Sequence, residues 1–283
     1  MSITRRLSEH YHYSWIILKE MVKTDFQLRY QGSFLGIAWS VLKPLMLFCV
    51  MYVVFVRFLK FSDGTPTFPL VLLLGISLWN FFSEAASMGL GSITGRGDML
   101  RKVDFPKYII VISATIGSLI GLGINMCVVL LFCLLSGRVH FTWNVLWLPF
   151  NFIELYLLAL GVALLLSTIN VYFRDIQHIW EVIMQALFYA TPIIYPLSMI
   201  QTQLGPENAG LAQLIEKLML LNPAAQVIQD IRHNLIAPET TPTVWTLYNH
   251  WWYMIIPIII VFGILCLGIH VFRKHSAQFA EVL

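Results

Sequence analysis

Four ionisable side chains, Lys43, Glu84, Glu154 and Glu181, stand inside long apolar stretches of this 283-residue chain. A charge in such surroundings is a candidate for function because taking it out of water is costly. Only Glu154 is deep. Lys43 and Glu181 lie within about two turns of the nearer end of their stretch, where a side chain can reach out and serve as an interfacial anchor, and Glu84 is about as close. A proton relay would need carboxylates with matching cations, and one or two carboxylates alone do not supply it. Covalent chemistry has as little support: no HExxH, GxSxG or paired-carboxylate pattern falls on an aqueous loop, so no residue is assigned a catalytic role. Cys49, Cys127, Cys133 and Cys266 form no CxxC pair or Cys/His group; they read as small hydrophobes with no metal or disulfide role. A G-x-x-x-x-G-K-[ST] loop is also absent, so this chain holds no nucleotide through a P-loop of its own.

What the residue types do offer is aromatic surface. Phe48, Tyr52 and Phe55 recur on one helical face, and Phe188, Tyr189 and Tyr195 populate a later stretch. Such rings pack a core, face lipid, or line a conduit in which they stack on sugar faces without binding tightly. Gly117-xxx-Gly121 and Ala85-xxx-Gly89 would let helices approach closely, within one chain or between two.

These residues need helices to hold them, and the composition says in which solvent. Hydrophobic residues make up 58% of the chain and charged ones 12%, with a mean hydropathy of +0.74. A soluble domain carries roughly a quarter charged residues, so that class is excluded. Six apolar runs, residues 35–56, 68–90, 108–135, 143–171, 179–200 and 251–272, each meet the roughly 20 residues that a helix needs to cross hydrocarbon. The expected fold is an all-α integral membrane protein with six transmembrane helices. Residues 1–34 carry too many charges for a cleavable signal peptide. With the N-terminus inside, the inner segments hold twelve Lys and Arg and the outer ones five, which places both termini in the cytoplasm. Trp143, Trp147, Trp251 and Trp252 then fall at outer helix ends. A net charge of +3 is too small and dispersed for a nucleic-acid partner.

The segments between the spans carry their own patterns. Within residues 1–34, Trp15, Leu18, Val22 and Phe26 recur at helical spacing opposite Lys19, Glu20 and Lys23, the mark of an amphipathic helix lying on a membrane. The inner loop 92–107 reads SITGRGDMLRKVDFPK. Asp98 can cap a short helix there that stops before Pro106, and Met99, Leu100 and Val103 give it an apolar face beside Arg101, Lys102 and Asp104. That helix either docks in a groove on a cytoplasmic partner or is a basic loop that sets topology. Arg174 and Asp175 sit side by side in the other inner loop. In the outer segment 201–250, Leu211, Leu214, Ile215 and Leu218 follow helical spacing, as do Ala224, Ile228, Ile231 and Leu235 after an Asn222-Pro223 start. Two short amphipathic helices are expected. Pro192 and Pro196 break the fifth run, so the chain there could re-enter the membrane.

Five stretches occur in the order of one family: RYQGSFLGIAWSVLKPLM (29–46), GDMLRKVDFPKYII (97–110), YFRDI (172–176), TPIIYP (191–196) and LNPAAQVIQDIR (221–232). With them the chain resembles the membrane-spanning permease subunit of type-2 ABC transporters that export polysaccharides and polyol phosphates. KTDFQLRYQGS is most similar in wording to permeases for Gram-positive rhamnose-rich or teichoic-acid-like wall polymers. The resemblance implies a homodimeric pore in a bacterial cytoplasmic membrane, moving a lipid-linked glycan and working with two copies of a separate ATPase subunit. ATP and Mg would be bound by that partner, with no cofactor in this chain. It further implies that Trp15, Leu18, Val22, Phe26 and Arg29 seat the N-terminal helix on the ATPase. Asp98, Met99, Leu100, Arg101, Lys102, Val103, Asp104 and Phe105 would form the coupling helix. Arg174 and Asp175 match an inner-loop motif, the short outer helices would act as a gate, and the aromatic residues would line the exit path. A drug or lipid exporter of the same ABC type shares the architecture. A secondary transporter would want inverted repeats, which are not seen.

Overall fold

The computed structural model describes residues 3–30, 33–103, 105–140, 142–248 and 251–283, and every regular element among them is helical. A long α1 (Ile3–Tyr30) leads into α2 (Trp39–Phe58), whose last seven residues wind as a π-helix, and then α3 (Phe68–Ser92). Short α4 (Gly97–Lys102) precedes α5 (Tyr108–Ser136); α6 (Leu148–Tyr172) follows a tight turn at Trp143–Trp147, and α7 is Ile176–Ala190. The long segment after it folds into α8 (Met199–Leu204), α9 (Ala209–Leu220), α10 (Pro223–Leu235) and α11 (Val244–Leu247). The chain ends with α12 (Ile255–His275) and α13 (Phe279–Val282).

Five helices among the described residues, α2, α3, α5, α6 and α12, are long and apolar enough to cross a membrane. The sixth expected crossing, 179–200, is not one continuous helix. It is the 15-residue α7, a turn, and α8. At 1.5 Å per residue α7 reaches roughly 22 Å, short of the roughly 30 Å of hydrocarbon. The cause is local: a residue before proline is pushed out of the helical region, and Thr191, ahead of Pro192, sits at φ −94°, ψ 135°. A count of apolar residues does not register that break.

The bundle is built around α3, which is buried along most of its length by α2, α5, α6, α7 and α10 and carries polar residues on one face. By contrast α2 turns Met46, Val50, Val53 and Val54 outward. Of the two small-residue pairs, Ala85-xxx-Gly89 makes the expected close approach: a Cβ on Gly89 would stand 2.4 Å from that of Ala163 on α6. Gly121 has open space instead. A second close crossing, backbone against backbone, lies between α6 and α12, where a Cβ on Gly268 would meet the Gly161 carbonyl oxygen at 2.5 Å.

One end of the bundle, called basal below, gathers α1, α4, the α6–α7 turn and the C-terminus in a single apolar cluster that includes Met21, Leu100, Phe105, Val171, Phe272 and Phe279. The last residues are part of it. Phe279 is fully buried with its ring edge-on to Phe272, Lys107 donates to the Ser276 carbonyl at 2.6 Å, and Tyr172 donates to Gln278 Oε1 at 3.1 Å. At the opposite, apical end stand exposed Trp143, Trp147 and Trp252, with α8 to α11 packed beside them.

Candidate translocation surface

Polar side chains line one cleft of about 390 Å³ within the bundle. On α3, Ser77, Asn80, Glu84 and Ser87 recur at helical spacing and so share a face. On α5, Ser118, Gly121 and Asn125 do the same, and Trp39, Ser40 and Lys43 of α2 close the side. Ser118 reaches Glu84 Oε1 at 3.5 Å. Ser77 and Asn125 turn part of their capacity inward, donating to the carbonyls of Leu73 and Gly121 at 2.9 Å each. Lys43 and Glu84, treated separately in the sequence, thus line one cleft. The serines and asparagines were missed, although their i, i+3, i+7 spacing inside apolar runs was there to be read. Glu154 lies outside this cleft, and Glu181 is exposed on α7. The surface offers hydroxyl, carboxamide and one charge of each sign; it can exchange hydrogen bonds with a polar chain and has no arrangement for covalent chemistry.

The aromatic candidates divide by exposure. Phe48, Phe55, Phe188 and Tyr195 are half-buried and pack on the main core, with Phe188 6.0 Å from the Trp79 ring. Tyr52 lies 5.9 Å from Phe48 and beneath the Arg57 guanidinium at 5.6 Å. Tyr189 is the exposed one, and the Tyr195 hydroxyl donates to its carbonyl at 3.1 Å.

At the basal end the faces differ from those expected. In α1 the side chains that dock are Ile17, Leu18 and Met21, while Trp15 is exposed and Val22 and Phe26 are half-buried. Asp25, on the docking side, pairs with Arg96 and accepts from Ser113 Oγ at 3.2 Å, tying α1 to the turn before α4 and to α5. Leu100 in α4 and Phe105 just after it are buried in the chain's own core, and Met99 packs against it. Asp98, Arg101, Lys102 and Val103 are left exposed. Asp98 sits in the first turn without capping it. Arg174 and Asp175 are exposed at the turn into α7; Asp104 and the side chain of Arg29 lie outside the described residues.

The apical helices also depart from the amphipathic reading. Asn222 caps α10 as its sequence implies, its side chain accepting from the Ala224 amide at 3.1 Å. Yet α10 is buried on all faces, polar ones included. In α9 it is Ala212, Glu216 and Leu220 that are buried, while Leu211, Leu214 and Leu218 face outward. Arg232 is buried and held on three sides. Its guanidinium donates to the carbonyls of Val71 on α3 at 3.1 Å and of Pro192 and Ile193 at 2.6 Å each, satisfying acceptors that the broken α7 leaves open. Gly75 makes the room, since a Cβ there would lie 1.8 Å from Arg232 Nη2. Burial pulls the pKa of Arg232 down to about 9, with Asp63 acting the other way, so the side chain keeps its charge at neutral pH.

Residues 17–205, from the middle of α1 to the end of α8, match the model of the ABC-2 type transporter family. The chain belongs to that family. Among curated relatives, an O-antigen export system permease protein of Myxococcus xanthus is 31% identical over 70% of this chain and 75% of its own length. Another of the same description, from Klebsiella pneumoniae, is 26% identical over the full length of both. A polysialic acid transport protein of Escherichia coli is 21% identical over 66% of this chain and 73% of its own. Within this ABC-2 protein the family match covers the polar cleft and, at the basal end, the latter half of α1, α4 and the α6–α7 turn, while α9 to α13 fall outside it and inside the full-length similarity.

Proposed function

We propose that the chain is the pore-forming half of an ATP-driven exporter that moves a lipid-linked cell-surface polysaccharide, of O-antigen or teichoic-acid-like type, out of the cytoplasm. The observation that carries this reading is the polar cleft along α2, α3 and α5 inside an otherwise apolar bundle, in a protein whose relatives are described as polysaccharide export permeases. A sliding polymer needs many weak contacts rather than a few tight ones. Hydroxyls, carboxamides and aromatic faces such as Tyr52 and Tyr189 provide them. The basal end faces the cytoplasm, in keeping with its Lys and Arg content. Two copies assemble with two ATPase subunits that bind ATP and Mg, engaged through the exposed residues Asp98, Arg101, Lys102 and Val103 and by α1. The apical helices α8 to α10 form the gate.

Co-purification with the ATPase and reconstitution in proteoliposomes test this. Two copies of each subunit, and ATP hydrolysis stimulated by a lipid-linked glycan, are expected. Transport by this chain alone, or stimulation by drugs or plain lipids and not by glycan, would overturn it.

A further inference from the structure

A second cavity, of about 420 Å³ and lined by apolar side chains around polar stripes, lies at the apical end between α6, α10 and α12, away from the cleft. Asn151 and Glu154 lie one turn apart on α6, and Gln226, Asp230 and Asn234 recur every fourth residue on α10, so two polar stripes face each other. Some of their capacity is spent internally: Asn234 donates to Asn151 Oδ1 at 2.9 Å, and Gln226 Nε2 donates to Asp230 Oδ2. His233 donates Nδ1–H to the Thr241 carbonyl at 3.0 Å.

What remains unfilled is of one kind. Both oxygens of Glu154, Oδ1 of Asp230 and Oε1 of Gln226 are buried without a hydrogen-bond donor, and each of the three residues is only 4% exposed. All four atoms are acceptors when the carboxyls are ionised. Buried acceptors left open in this way call for a donor, and with two acidic groups and no Lys or Arg among the lining residues a positive donor can enter and displace the proton that burial keeps on Asp230. A bare metal ion wants oxygens within about 2.6 Å on several sides, which a cavity of this size does not provide. A neutral sugar brings acceptors as well as donors, and an anionic one meets repulsion. An organic ammonium fits: it carries up to three N–H donors, and Trp147, Phe150 and Trp245 at the rim can hold a cation over their faces. Bringing a cation there favours ionised carboxylates.

We infer that the cavity between α6 and α10 binds a primary ammonium group, with Glu154 and Asp230 as its acceptors. The exposed Trp147 places its mouth at headgroup depth, so the source is an aminophospholipid headgroup, and a free amine is the other supply.

Native mass spectrometry of the purified full-length protein tests this, using phosphatidylethanolamine, phosphatidylcholine and phosphatidylglycerol. Phosphatidylethanolamine should be retained about tenfold over the other two, since a trimethylated ammonium has no N–H to donate. Glu154→Gln and Asp230→Asn, which keep side-chain shape, should each erase that preference. The wild-type comparison of the two zwitterionic lipids stands even if neither variant folds. Thermal stabilisation by ethanolamine or glucosamine in solution, lost in Glu154→Gln and without lipid preference, would assign the same site to a soluble amine. Equal retention of all lipids with no amine effect, a preference untouched by both variants, or stabilisation by a divalent cation alone would overturn the inference.

Discussion

Arg232 shows how much one side chain can hold. Its three carbonyl partners are buried, and leaving such acceptors without a donor costs roughly 1–3 kcal/mol each. Arg232→Met should therefore lower the thermal midpoint of the detergent-solubilised protein by many degrees. Gly75→Ala should do nearly as much, because its new methyl would overlap the guanidinium. In the Arg232→Met background the Gly75→Ala change should cost far less, and a double-mutant cycle measures the difference; additive effects would mean that the two residues do not share a space. Asp230 sets a second expectation. Burial raises its carboxyl to about 8, a hydrogen bond from Gln226 opposing the shift and the Glu154 charge adding to it. The folded protein then keeps a proton that the unfolded chain gives up above about pH 4, so stability contributed at this site declines as pH rises from about 4 to about 8 and then levels. Melting curves across that range should show a downward slope that Asp230→Asn flattens.

Among the elements, α4 and α13 behave as one unit. Leu100 is buried against the cluster that holds Phe279, so Leu100→Asp should damage folding and expression, whereas Val103→Asp should leave folding intact and reduce ATPase stimulation. Phe279→Ala removes a fully buried ring, at roughly 3–5 kcal/mol, and should weaken coupling as well by loosening the support of α4. Stimulated ATP hydrolysis and thermal stability, measured together, separate the two effects. The helices themselves were legible in the sequence: the Asn222-Pro223 start of α10 and the crossing segments at α3, α5, α6 and α12 follow from capping and apolar length. Which face each helix buries was less so. Periodicity identifies an apolar stripe but assumes that polar residues seek water, and Gln226, Asp230 and Arg232 instead satisfy partners inside the protein. In α9 the rule inverts, with Leu214 and Leu218 outward and Glu216 buried, its Oε2 accepting from Gln201 at 2.8 Å. The polar cleft was hidden for a related reason: single serines and asparagines barely change the hydropathy of a run, and only their alignment on α3 and α5 makes a surface.

At the scale of the molecule, the outward side chains of α2 and the exposed Tyr189 of α7 leave a flank that either lipid or another protein covers. If that flank borders a shared conduit, Tyr52→Ala combined with Tyr189→Ala should slow glycan export several-fold while assembly and basal ATP hydrolysis persist; normal export would place those rings against lipid. Arg232 has a further consequence, in time rather than in space. It bonds to carbonyls 161 and about 40 residues earlier in the chain. During synthesis, the ribosome must therefore deliver α10 before the pocket at Gly75 and the turn after α7 can close. Until then the nascent chain sits in the membrane with open carbonyls and an unfilled hole beside its central helix. A chain halted before residue 232 carries a defect far upstream of its end, and pulse-chase turnover of chains ending at residues 222 and 240 should differ sharply, the shorter being degraded faster.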